Sequence, residues 1–324
     1  MSKKDPLKSR RIFVGFNSAG AAGIWSFTRV LRRRGYQIDF YGMGEISFNM
    51  PVDFLLKFSD YPLRSFIQRF IYFFKILPKY NVWHFNYMEV FFFYPLNLLI
   101  LRILGKKIVC TFRGSEVRSK LRMKIFCFLA DEVVLTGPFL VKSVDRYDII
   151  IPYARNVQNL ITQTNKSNNQ KLTVLHAPSN SKVKGTLYVE KVFKHLNKLY
   201  PQVEFKIVEG LNHDALLNEM IKADIVIDQL LIGWYGGLAV EAMAMGKVVM
   251  AFLDTDYFQF VDFGSDLPII NTNIWTLKRD LEMLINHTED FKRFRIEGMK
   301  FARKYHDSKK IAEKYLTIYR GSDE

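Results

Sequence analysis

The chain has 324 residues, 49% hydrophobic and 24% charged, which excludes a largely disordered polymer and favours two domains at roughly 150 residues each. Its 47 Lys and Arg outweigh 32 Asp and Glu, giving a formal net charge of +15, so the surface attracts anions such as phosphorylated ligands, acidic headgroups or nucleic acid. Charge by itself does not choose among these partners.

The opening "MSKKDPLKSRR" runs into a strand without the apolar segment of a signal peptide, so a cytoplasmic protein is expected. The two cysteines agree with a reducing compartment: Cys110 lies in a strand-like run and Cys127 in a helix-like one, which predicts buried free thiols. Short apolar runs then alternate with helical patterns, the signature of parallel sheets wound with helices. Strands are expected at "RIFVGF", "YQIDFY", "VWHFN", "KIVCTF", "EVVLTG" and "DIIIPY".

Two segments of this first half interleave aromatics with cations, "YPLRSFIQRFIYFFKILPKY" at 61 to 80 and "FFFYPLNLLILRILGKK" at 91 to 107. They read either as core-packing helices with solvated charges or as helices suited to an anionic membrane surface. The most apolar window, 90 to 104, contains Pro95 and Arg102 and falls short of the ~18 to 20 residues that span a bilayer, so it can lie on a membrane but not cross it.

The polar stretch 155 to 170, "RNVQNLITQTNKSNNQ", is the expected linker. Beyond it the pattern restarts with "KLTVLHA", "VEFKIVE", "DIVIDQ", "KVVMAF" and "LPII", followed by an amphipathic helical third. The expected division is 1–155, 156–305 and a C-terminal helix at 306–324 packing back on the first domain. The fold class expected is α/β, two doubly wound Rossmann-like domains facing across a cleft, with ligands beyond the carboxyl ends of the strands.

In "GWYGGLAVEAMAMGKVVMAF", 233 to 252, Gly236 and Gly237 precede a helix over 238–245 that is stopped by Gly246. Bare backbone there lets a diphosphate approach the free N–H groups and the positive end of the helix dipole, with Glu241 placed for a ribose hydroxyl pair. A plain strand-to-helix turn with Glu241 favouring the dipole uses the same residues. Upstream, "HAPSNSKVKGT" puts Lys182 and Lys184 on a loop after the first strand of the second domain, where an ammonium can neutralise phosphate or simply be solvated.

Together, "ADIVIDQLLIGWYGGLAVEAMAMGKVVMAF" and "HAPSNSKVKGT" resemble the donor-binding domain of GT-B fold glycosyltransferases, most closely glycosyltransferase family four. The resemblance covers nearly the whole second domain. It implies a ribose-binding role for Glu241, diphosphate contacts at Gly236, Gly237 and Leu238, and a phosphate contact at Lys184. The family's partner arginine has no match, and Lys182 is the nearest cation. The first glutamate of the family pair falls on Gly233, leaving Asp228, Gln229, Trp234 or Tyr235 as candidates for sugar contacts.

The first domain resembles the acceptor half more loosely. "FNSAGAAGIWSFTRVLRRRGYQIDFYG" looks like its glycine loop, with Gly20 the preferred donor contact and Gly23 second. "VWHFNY" resembles the strand that ends in a histidine, which places His84 at a carboxyl end as a catalytic candidate, although a hydrogen-bonded structural histidine fits the same pattern. In "TFRGSEVR" Arg113 stands where the family has a histidine; it cannot shuttle protons but can stabilise charge on a leaving phosphate. Glu116 replaces an aspartate or begins a helix.

These readings predict a metal-independent hexosyltransferase type of glycosyltransferase in polysaccharide or glycoconjugate synthesis, retaining by analogy, that moves a sugar from a nucleotide-diphosphate sugar to a glycan or lipid-linked acceptor. No cofactor beyond that substrate is expected, and no metal-ligand cluster stands out; "DTD" at 254 to 256 reads as a turn. A peripheral position on the inner face of a membrane suits the cationic aromatic segments. The competing reading is a non-catalytic GT-B scaffold, motivated by Gly233 and Arg113. Nucleic acid as a partner is disfavoured because no groove-reading motif appears. An NAD enzyme is disfavoured because "NSAGAAG" lacks a clean G-x-G-x-x-G.

Overall fold

The computed structural model describes residues 5–16, 21–43, 52–86, 91–92, 95–114, 120–161 and 171–321. The chain divides into unit 1, Met1–Ala154 with Ser308–Glu324, and unit 2, Arg155–Asp307. Arg155 therefore opens unit 2 instead of closing the first domain, and His306 and Asp307 belong to unit 2 as well.

Unit 1 runs β1 (Arg11–Phe16), α1 (Ala21–Arg33), β2 (Gln37–Met43), β3 (Phe54–Leu56), α2 (Pro62–Ile76), β4 (Val82–Asn86), α3 (Leu96–Ile103), β5 (Lys107–Phe112), α4 (Lys120–Leu129), β6 (Glu132–Leu135) and β7 (Ile149–Ile150). The strands form a parallel sheet in the order β3-β2-β1-β4-β5-β6-β7. Because side chains alternate along a strand, Phe13 enters one core with Phe73, Leu98 and Phe126, while Ile12 and Val14 enter a second with Phe27 and Leu31. A sheet with both faces buried needs the near-continuous apolar strands that the sequence displays. Many of the phenylalanines fill the first core, where Phe13 lies 4.6 Å from Trp83 and Phe73 lies 5.4 Å from Phe91 between ring centres.

Unit 2 runs α5 (Val157–Ile161), β8 (Leu172–His176), α6 (Ser181–Lys184), α7 (Thr186–Leu199), β9 (Val203–Ile207), α8 (His213–Lys222), β10 (Ile225–Ile227), α9 (Gly237–Ala244), β11 (Val248–Ala251), β12 (Ile270–Asn271), α10 (Leu277–Asn286) and α11 (Phe291–Tyr305). Its parallel sheet has the order β12-β11-β10-β8-β9, so the chain reverses direction across the sheet between β8 and β10. Loops leaving adjacent strands at such a reversal open a crevice at their carboxyl ends. Residues 155–161, expected to be linker, are structured: Arg155 N donates to His306 O at 2.8 Å and α5 buries Val157 and Leu160.

The chain then returns to unit 1 as α12 (Ser308–Arg320), which covers the second core with Tyr315 and Tyr319. Both cysteines are free and buried.

Candidate functional site

The reversal between β8 and β10 in unit 2 gathers the residues of interest. After β8, Asn180 accepts from Val183 N through Oδ1 at 3.1 Å and caps the single turn α6, so Lys184 ends a short helix where a loop was expected. Gly185 follows at φ +80, which permits the sharp step into α7. Lys184 Nζ reaches Asp228 Oδ1 at 2.7 Å, with side-chain exposures of 14% and 0%. Asp228 stands one residue beyond β10, and its other oxygen accepts from Gly236 N. One buried carboxylate thus fixes both the ammonium and the turn into α9.

That arrangement corrects one expectation: the Gly236 N–H, assigned to a diphosphate by resemblance, is already committed to Asp228. The N–H groups of Gly237 and Leu238, at the first positions of α9, donate to no acceptor among the described residues. A Cβ on Gly236 would crowd the same pair, at 3.0 Å from Lys184 Nζ and 3.2 Å from Asp228 Oδ2.

A second cation stands at the same helix end. Arg155 lies against Gly237, where a Cβ would come within 2.0 Å of its terminal nitrogen, and its Nε is 2.7 Å from Glu241 Oε1. Glu241 is the fifth residue of α9, one turn in, and only 4% exposed. Burial pushes its carboxyl pKa up, but the Arg155 charge and the His213 hydrogen bond outweigh that and hold it below the ordinary value. Sequence reasoning missed Arg155 because it opens a polar run read as linker; it missed His213 because, although Asn212 caps the start of α8, nothing in that local pattern points to Glu241, which lies 28 residues on.

His213 Nε2 lies 3.2 Å from Glu241 Oε1. This hydrogen bond raises the imidazole pKa above its usual value, against the opposing effect of burial. A folded-state pKa above the unfolded one stabilises fully below about pH 6.5, and the contribution is lost as pH rises through the raised value. The unfolding-temperature gap between the wild type and His213→Ala is therefore expected to be widest near about pH 6 and to shrink by about pH 9. A gap that stays constant or widens with pH, measured by thermal unfolding, would refute this coupling.

Lys182 is exposed on α6, two residues from Lys184, a spacing at which helical neighbours do not share a face. Gly20 and Glu116 lie outside the described residues; Gly23 is buried in the first turn of α1.

His84 is corrected most clearly. It sits mid-strand in β4 at 0% exposure, with Nδ1 2.7 Å from Tyr319 Oη and Nε2 2.8 Å from Thr111 Oγ1. Burial, with the nearby Arg113 charge, pushes its pKa down to about 3, so the ring is neutral and serves to tie α12 to the sheet of unit 1. Arg113 follows β5 at 9% exposure, its guanidinium carbon 6.0 Å from the centre of the Tyr153 ring.

Gly233 has a physical reason to differ from glutamate. Its φ is +81, and a Cβ there would meet Asp254 at 3.1 Å and Tyr257 at 3.2 Å. Gln229 cannot replace the missing carboxylate, since its amide donates to Trp234 O and Phe252 O and accepts from Leu231 N and Ile232 N. These four bonds spend its hydrogen-bonding capacity on shaping the loop. Trp234 and Tyr235 are also buried, the latter with Oη 3.1 Å from His306 Nε2.

Comparison with solved structures settles the architecture. A glycosyltransferase from Rickettsia africae superposes with a TM-score of 0.69 at 13% identity, covering 96% of this chain and 98% of that one. Anabaena HepE in complex with UDP-glucose gives 0.65 at 14% identity, covering 95% and 98%. The fold is GT-B. The GT-B likeness extends to a UDP-GlcNAc 2-epimerase from Methanocaldococcus jannaschii, with a TM-score of 0.58 at 9% identity over 96% and 100% of the chains. At such identities the likeness establishes the fold, and activity has to be argued from the site. No family model matches the sequence, and no curated protein matches it.

Proposed function

We propose that the chain is a glycosyltransferase that takes a sugar from a nucleotide-diphosphate donor bound at the sheet reversal of unit 2. The observation that carries this reading is the convergence of Lys184, Arg155 and the Gly237 and Leu238 amides at one helix start, with Glu241 a turn away. A diphosphate leaving group gains negative charge as the bond to the sugar breaks. Donors fixed in advance around its oxygens stabilise that charge, each worth about 3 kcal/mol by analogy with oxyanion sites.

Arg155 takes the place of the arginine that the resemblance lacked. Asp228 is a positioning residue that holds Lys184 and turns Gly236. Glu241 Oε1 faces Arg155 and His213, and we assign Oε2 to the ribose hydroxyls. The assignment of Arg113 to the same reaction rests on resemblance alone, and His84 is withdrawn from it. Metal independence, retention of configuration, transfer of a hexose and a glycan or lipid-linked acceptor in polysaccharide or glycoconjugate synthesis are carried as parts of the proposal. Uridine is the first base to test, because HepE was solved with UDP and with UDP-glucose.

Titration with UDP, GDP and ADP by calorimetry tests the site. One nucleotide is expected to bind the wild type and to lose about tenfold to a hundredfold in affinity in Lys184→Ala, the range for a lost charge-assisted bond. Failure of every nucleotide to bind, or binding indifferent to Lys184→Ala, would remove the reading. With the matching nucleotide sugar, nucleotide release that depends on an added acceptor supports transfer; an epimerised sugar would put an epimerase in its place; binding with neither would favour the scaffold.

A further inference from the structure

Unit 1 carries a surface that the donor site does not use. α2, α3 and α4 cover one face of its sheet, turning Phe73 and Ile76, Leu98 and Leu101, and Met123 and Phe126 into the first core. Their outward sides are apolar too. On α2, Leu63, Ile67, Phe70, Ile71 and Phe74 are exposed, Leu63 by 73% and Ile71 by 60%, and their spacing traces a single stripe along the helix. Leu96, Leu99 and Ile103 expose a second stripe on α3, with Ile103 at 82%, and Leu121 and Phe128 a third on α4, with Phe128 at 80%. Single exposed apolar residues are ordinary, but stripes on three helices of one layer mark a contact surface.

Charge chooses the partner. α2 contains three Lys or Arg, α3 one and α4 three, and none of these helices contains Asp or Glu. Arg102 and Lys124 pair with Asp131 and Asp145 beyond the helices, so the excess is carried mainly by α2 and the start of α4. A symmetric pair of copies meeting through this face would set cations against cations. Anionic headgroups instead supply the opposite charge around rings and aliphatic chains seated in the interfacial layer. No helix among the described residues is long and apolar enough to cross a bilayer, so contact is with the surface.

We infer that the outward faces of α2, α3 and α4 form a docking surface for an anionic lipid bilayer. Leu63, Ile71, Ile103 and Phe128 enter the headgroup layer, while the exposed Arg64, Lys75 and Arg122 meet lipid phosphates. This inference is independent of the donor reading, and its test needs no nucleotide.

Vesicle flotation of the full chain decides it, with phosphatidylcholine alone compared with phosphatidylcholine containing about one third phosphatidylglycerol. Binding is expected to the anionic vesicles, to weaken in high salt, and to fall about fivefold for each cation lost in Arg64→Glu and Lys75→Glu. The combined Ile71→Ser, Ile103→Ser and Phe128→Ser variant is expected to lose at least about tenfold of the binding with an unchanged unfolding temperature, since these side chains are exposed. Absent or charge-indifferent vesicle binding, or binding that survives both sets of substitutions, overturns the inference. So does a dimer, seen by light scattering, that the serine variant dissociates while vesicles remain unbound.

Discussion

Arg155→Ala is expected to lower the unfolding free energy by about 3 kcal/mol and to weaken nucleotide binding by about tenfold to a hundredfold. The stability loss follows from burial: the Arg155 and Glu241 side chains are 14% and 5% exposed, and removing one partner leaves a carboxylate in a poorly solvated place. Glu241→Gln in the same chain is expected to recover part of the loss, because the uncompensated charge disappears, giving a coupling of about 0.5 to 3 kcal/mol in the double-mutant cycle. Denaturant unfolding and nucleotide titration read the two effects separately. Gly237→Ala sharpens the test, since its methyl would displace the Arg155 terminus, the end of a flexible side chain, without deleting the charge. It is expected to reproduce most of the binding loss at a smaller cost in stability. Retained affinity in both variants would take Arg155 out of the site.

Asp228→Ala is the second large effect, expected to cost about 3 kcal/mol by denaturant unfolding. The carboxylate is fully buried and serves two partners at once, the Lys184 ammonium at 2.7 Å and the Gly236 amide. Its removal strands a cation and an amide together. Asp228→Asn keeps an acceptor for the amide and is expected to fall between the alanine variant and the wild type. Adding Lys184→Met to Asp228→Ala is expected to return part of the lost stability, as the remaining buried charge is removed. A loss below about 1 kcal/mol in Asp228→Ala would show that Lys184 finds water easily and that the carboxylate does not organise the site.

The alternation of apolar runs with helical patterns made the two parallel sheets legible, because strands buried on both faces must be apolar throughout. β3 escaped notice: three residues at a sheet edge, two of them exposed, carry too little pattern. In unit 2, two glycines, a helix start and a glutamate fall within six residues, so the turn into α9 was legible from local pattern alone. Arg155 is brought to Gly237 by the return of the chain at His306, a long-range contact with no trace in its neighbours. His84 misled for the reverse reason. Its local pattern matches a strand-end histidine, but the residues that claim its ring, Thr111 and Tyr319, come from β5 and from α12 near the far end of the chain. Gln229 likewise looked available for a ligand until its loop contacts were visible.

The return of the chain as α12 has a consequence for biosynthesis. Unit 2 is encoded as one uninterrupted block, whereas one layer of unit 1 waits for Tyr315 and Tyr319. On the ribosome, unit 2 can therefore close while a flank of unit 1 is still bare, and that flank is the part a nascent-chain chaperone would need to shield.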